Sequence, residues 1–108
     1  MSKPNKTASA PLFGLGAVTA TPAVLAHLAT HGKSVAQLLD AHVRGDWGSE
    51  SSEVAESNQR ALENGSQLLS EYLVGGRRVY CITAAEGDLG VRVSTMLLFA
   101  GESSDGDR

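Results

Sequence analysis

Two spacings of apolar residues divide this chain: from Thr21 to about Glu63 they recur every three or four positions, and from Leu68 to Phe99 they alternate. The first spacing predicts helices. Thr21 followed by Pro22 starts one, because the hydroxyl can accept an early backbone N–H and proline at the first helical position forfeits no hydrogen bond. That helix runs to about Thr30 with Val24, Leu25 and Leu28 as its stripe, and Gly32-Lys33 ends it. Ser34 caps a second helix carrying Val35, Leu38, Leu39 and Val43 at helical spacing. A third spans about Ser52 to Glu63, started by a serine-rich, acidic cap formed by Ser49, Ser51 and Ser52 with Glu50 and Glu53. Its stripe of Val54, Ala61 and Leu62 is thin and interrupted by Asn58, so it is expected at the surface with Glu53, Glu56 and Glu63 in water. A buried Asn58 needs a partner, and the turn from Gly45 to Gly48 is the natural one.

The second spacing predicts strands. Leu68, Ser70, Tyr72 and Val74 alternate with Leu69, Glu71 and Leu73. Gly75-Gly76 then gives a two-residue turn, and Val79, Cys81 and Thr83 alternate with Arg78, Tyr80 and Ile82. This is a hairpin. Turn residues from Glu86 to Gly90 lead to a third strand, Val91 to Phe99, with Val93, Thr95, Leu97 and Phe99 on one face and Arg92, Ser94, Met96 and Leu98 on the other. The fold expected is α+β: two to three N-terminal helices packed on one face of a C-terminal three-stranded antiparallel sheet. Leu12 to Thr21, with Gly14 and Gly16, reads as a short added edge strand or an extended lead-in. Met96 and Leu98 make the far face of the sheet partly apolar, which suits a homodimer through the sheet or another partner.

With 108 residues the chain fits one domain, expected over residues 12–100, between a disordered arm at 1–11 and a solvated acidic tail at 101–108. A formal net charge of −3 argues against nucleic acid as a direct ligand, which generally meets a basic face. The single cysteine, Cys81, cannot form an internal disulfide, and its place in mid-strand suits an inert buried thiol. Neither a signal-peptide apolar stretch after Lys3 and Lys6 nor a membrane-length apolar run is present, so the cytoplasm is the expected location and no membrane is expected as a partner.

Between the second and third helices lies His-Val-Arg-Gly-Asp-Trp-Gly, residues 42–48, with the chain's only Trp. Gly45 suits the left-handed position just past a helix, and Asp46 suits a side-chain bond to the turn's own N–H groups. Trp47 has two readings: a plug at one end of the core, or an exposed anchor for a partner. Arg77 and Arg78 at the hairpin tip, with Arg92 on the next strand, form the one cationic cluster. It serves either as edge protection or as a contact for an acidic surface or a phosphate. The acidic face bearing Glu53 and Glu56 is either simply solvated or a mimic of nucleic-acid phosphates.

Catalytic and metal patterns are lacking. His27 and His31 lie four apart on one helical face, but without a cysteine or carboxylate placed beside them they read, with His42, as surface or cap histidines, and no metal or cofactor is expected. No phosphate-binding glycine loop precedes a Lys-Ser or Lys-Thr pair, and Gly14 and Gly16 lack the third glycine of a dinucleotide site. An enzyme using Cys81 or the histidines is the weakest reading.

The 42–48 stretch, Asn58, Ala61-Leu62, Gly65-Ser66, Leu69-Ser70, Tyr72, Ile82-Thr83 and Ala85 together resemble a family of small proteins carried by bacterial plasmids and integrative elements, often labelled plasmid-related. The likeness spans roughly Thr19 to Leu98, with Gly-Asp-Trp-Gly as its most specific mark, and departs from it over 84–95. It implies a mobile-element setting and no reaction. With the size, the acidity and the missing catalytic patterns, the expectation is a non-enzymatic binding protein. It would inhibit a host defence complex, of anti-CRISPR or anti-restriction type, by protein–protein occlusion through Asp46, Trp47, Glu53, Glu56, Arg77, Arg78 and Arg92. The alternative is a nucleic-acid-binding accessory or regulatory protein using the three arginines.

Overall fold

The computed structural model describes residues 11–48 and 52–100. The elements are β1 (Ala17–Ala20), α1 (Pro22–Thr30), α2 (Val35–Val43), α3 (Ser52–Asn64), β2 (Leu68–Val74), β3 (Arg77–Thr83) and β4 (Ser94–Phe99). The strands form one sheet in the order β1-β4-β3-β2. The fold is α+β, and the three C-terminal strands are antiparallel to one another as the alternation predicts. The sheet as a whole is mixed, because β1 joins as a fourth strand, parallel to β4, with Ala17 opposite Ser94 and Ala20 opposite Leu97. The first element is therefore a strand. The expected arm, apart from Pro11, the expected tail and the serine cap at 49 and 51 lie outside the described residues.

Local chemistry places the helix starts. Thr21, extended at φ −69° and ψ 151°, accepts the Val24 N–H on its hydroxyl at 3.2 Å, with Pro22 next in line. Ser34 and Gln37 exchange reciprocal bonds, Gln37 N–H to Ser34 Oγ at 3.1 Å and Ser34 N–H to Gln37 Oε1 at 2.8 Å. The third strand begins at Ser94, three residues later than its alternation suggests. Val93 is consequently 65% exposed, its carbonyl taken by the Ala17 N–H at the head of β1.

Two apolar clusters hold the layers together. Val24 and Leu28 of α1 and Leu38 of α2 pack with Tyr72, Val74, Val79, Cys81, Leu97 and Phe99, all from one face of the sheet. Trp47, Ala61 and Leu68 form a second cluster with Phe13, Val54 and Leu62 around it, so α3 is tied to the β2 side. Each fully buried aliphatic side chain contributes roughly 1.5–3 kcal/mol relative to exposure. No helix among the described residues is long and apolar enough to cross a membrane.

Candidate binding surfaces and a buried histidine

Residues 45–48 are organised by backbone bonds. The Gly45 N–H reaches His42 O, the Asp46 N–H reaches Ala41 O at 2.9 Å, and Asp46 Oδ1 accepts the Gly48 N–H at 3.3 Å. These bonds turn the chain so that Trp47 points inward: it is 9% exposed, stacked on Phe13 at 6.2 Å between ring centres and edge-on to His42 at 5.8 Å. Of its two readings, the structure has the core plug. Asp46 stays exposed, while its carbonyl accepts the Tyr72 hydroxyl at 2.6 Å. Gly48, at φ +77°, runs so close to β2 that a Cβ there would sit 2.3 Å from Glu71 O. Only glycine tolerates both conditions.

This approach closes one edge of the sheet. Along the outer side of β2 the Glu71 N–H donates to Trp47 O at 2.8 Å. Beside it, Asn58 grips Leu69 at two points, its Nδ2 donating to Leu69 O at 2.6 Å and its Oδ1 accepting the Leu69 N–H at 3.0 Å. The partner of Asn58 is thus a strand backbone and not the Gly45–Gly48 turn, because helical spacing brings residue 58 beside β2. A side-chain amide carries one donor and one acceptor in the arrangement a neighbouring strand would offer, so Asn58 stands in for that strand.

Behind Trp47 lies an arrangement the sequence reading missed. His42 is fully buried, not a surface histidine; its Nδ1 is 2.6 Å from Ser70 Oγ and its Nε2 2.8 Å from Thr83 Oγ1. Thr83 Oγ1 in turn lies 2.8 Å from Thr95 Oγ1, which donates to Leu15 O at 2.8 Å. That last bond orders the whole chain. With its only proton given to Leu15, Thr95 must accept from Thr83, and Thr83 must then accept from Nε2–H. The network thus places a proton on His42 Nε2, and burial, which holds the pKa down at about 4, keeps the ring neutral. One signal was present in the sequence: Ser70, Thr83 and Thr95 fall in the inward phase of their strands, where hydroxyls require partners.

This group is a serine beside a histidine, but it is not arranged as a nucleophile and base. Ser70, Thr83 and Thr95 are all fully buried, and Phe13 and Trp47 cover the imidazole. Burial also pushes the Cys81 thiol up to about 12 and raises the Tyr72 hydroxyl, leaving both protonated near neutrality. His27 is half-buried, within 2.6 Å of Val74 O through Nε2, and His31 is exposed beside it with ring centres 4.5 Å apart. Among the described residues no three His, Cys, Asp or Glu side chains form a metal-binding group.

The arginines do not form one cluster. Arg77 and Arg78 are exposed at the hairpin, Arg77 lying 3.5 Å above the Phe99 ring. Arg92 is at the other end of β3, where it is 6% exposed and donates to Ser66 O at 2.6 Å, Ala84 O at 3.1 Å and Ala61 O at 3.1 Å. The length of β3, seven residues, separates the two ends by roughly 20 Å. Ala61 O, in the last turn of α3, also accepts the Gly65 N–H at 2.8 Å, so Arg92 adds a cationic second donor at the negative end of that helix and ties it to the loop after β3, with Glu86 at 3.9 Å as counter-ion.

Two outward surfaces adjoin one another. On the sheet face opposite α1 and α2, Ile82, Ala84, Ser94, Met96 and Leu98, with Gln67, line a shallow concavity of about 340 Å³. Beside it, a groove of about 160 Å³ between α3 and β2 is lined by Glu53, Val54, Ser57, Asn58 and Leu69. Glu53 and Glu56 are both exposed, so the acidic side of α3 adjoins the apolar face at Leu69. The chain matches no protein-family model, no curated protein and no solved structure.

Proposed function

We propose that the protein is a non-enzymatic binding protein that acts by covering a surface of a protein partner. The carrying observation is the junction of an apolar sheet face, bearing Ile82, Met96 and Leu98, with the carboxylates of α3 across the groove at Glu53 and Leu69. Side by side, they suit a partner surface that ordinarily receives nucleic acid, with phosphate-binding cations meeting carboxylates and base-stacking groups meeting the sheet. The setting, a mobile genetic element acting on a host defence complex of anti-CRISPR or anti-restriction type, rests on the Gly-Asp-Trp-Gly resemblance. With Trp47 and Arg92 inside the domain, the surface residues assigned to binding are Glu53, Glu56, Ile82 and Met96.

Purified protein is expected to inhibit DNA cleavage by one such complex stoichiometrically, with inhibition lost in both Met96→Glu and the double change Glu53→Lys and Glu56→Lys. If no restriction or CRISPR complex is inhibited or retained, the reading fails. The nucleic-acid alternative keeps only two of its three arginines at the surface, Arg77 and Arg78. A low-salt gel shift abolished by changing that pair would favour it instead.

A further inference from the structure

The two edges of the sheet are finished differently. On β2 the outward amide groups of Leu69 and Glu71 are occupied by Asn58 and by the carbonyl of Trp47. On β1 the ladder to β4 uses alternate residues, with Ala17 N–H on Val93 O at 3.0 Å and Thr21 N–H on Leu97 O at 3.1 Å. By the same alternation the N–H and C=O of Val18 and Ala20 face away from the sheet, and no described residue meets them. Proteins commonly blunt such an edge with a charge, a proline, a bulge or a covering segment. β1 is short, at four residues, but among the described residues it has none of these: Ala17, Val18 and Thr19 are exposed, and no Asp, Glu, Lys or Arg occurs from Pro11 to Gly32. Val93, beside the head of β1, adds apolar surface at 65% exposure.

We propose that β1 is a self-association edge, pairing antiparallel with β1 of a second copy to make one continuous eight-stranded sheet. Charge argues for a second copy as the occupant. The chain carries a net −3, yet this edge is uncharged, so two copies can meet here without like-charge opposition. The order of side chains argues for it too. A two-fold axis through Thr19 sets Val18 opposite Ala20 of the second copy, aligning the outward N–H and C=O of each for four mutual hydrogen bonds. Thr19 then faces Thr19 of the second copy, a favourable cross-strand pair. The proposal does not depend on the function inferred above.

Sedimentation velocity of the full chain over a wide concentration range tests this, read with hydrogen exchange. Dimer formation should rise with concentration, and the Val18 and Ala20 amides should gain protection as it does, while the Thr19 amide is protected throughout. Val18→Pro removes an outward donor and leaves the inward ladder intact; it should weaken association at least tenfold. Thr19→Lys places like charges opposite each other and should do the same without touching the backbone, so it decides the matter if the proline variant folds poorly. A Leu73→Lys control on the far edge should dimerise normally. A chain monomeric at all concentrations, a dimer unaffected by Thr19→Lys, or protection at Val18 gained only on adding another protein would each overturn the proposal.

Discussion

Lowering the pH should weaken this protein through His42, by an amount the structure sets. An unfolded histidine titrates at 6.5, whereas burial holds His42 near 4, so the fold favours the neutral ring. Above pH 6.5 both states are neutral there and the contribution is constant. Between 6.5 and about 4 the unfolded chain takes up a proton that the folded one refuses, and stability falls as pH falls. Below about 4 both states are charged and the loss levels off. The gap corresponds to about 3 kcal/mol in full, and to about 2 kcal/mol by pH 5. Against the 5–15 kcal/mol typical of a domain, that is a large share. Carboxylates also titrate in this range, so the clean measurement is a difference. Urea midpoints of the native protein and of His42→Gln, taken at pH 7 and pH 4.5, should show a steeper fall for the native chain by about 3 kcal/mol. Parallel falls would refute the reasoning. Should His42→Gln not fold, an NMR titration of the native His42 ring decides the same point: a midpoint near 6.5 would refute it too.

Three further outcomes follow from single side chains. Arg92→Met leaves the carbonyls of Ser66 and Ala84 without this donor and Ala61 O with the Gly65 N–H alone, and should lower stability by about 3 kcal/mol, measured by urea melting, with the last turn of α3 losing amide protection first. Asn58→Leu strips both bonds from Leu69; about 2 kcal/mol should be lost, with a rise in aggregation rate read by light scattering as the β2 edge is bared. Gly48→Ala meets Glu71 O and a left-handed backbone together, so it should cost more than about 2 kcal/mol and shift the fluorescence of neighbouring Trp47 toward that of a solvated indole.

The parts of the fold that were legible in the sequence are those written locally. Thr21-Pro22, Ser34 and Gly75-Gly76 each act on residues within a few positions of themselves, and each marks a real boundary. The parallel pairing of β1 with β4 joins residues 77 apart, Ala17 to Ser94, and leaves no mark in either segment. His42 and Arg92 were misread for a related reason. A polar residue on a helix stripe or a strand looks like surface until the structure supplies partners such as Ser70, Thr83, Ala61 O and Ser66 O from distant positions. For the candidate surfaces, the acidic face of α3 and the apolar residues of β3 and β4 were visible as patterns. Their adjacency was not, since it depends on α3 lying against β2.

The pairing of the first strand with the last also governs the order in which the molecule can be assembled during synthesis. β1 emerges early from the ribosome, but its neighbour β4 and the Thr95 hydroxyl that holds Leu15 come some eighty residues later. Until Phe99 is made, the apolar stripes of α1 and α2 have no complete sheet to settle on. The closing of that long loop belongs among the slow, late events, so a nascent chain is most exposed to misassembly in the interval before β4 is available.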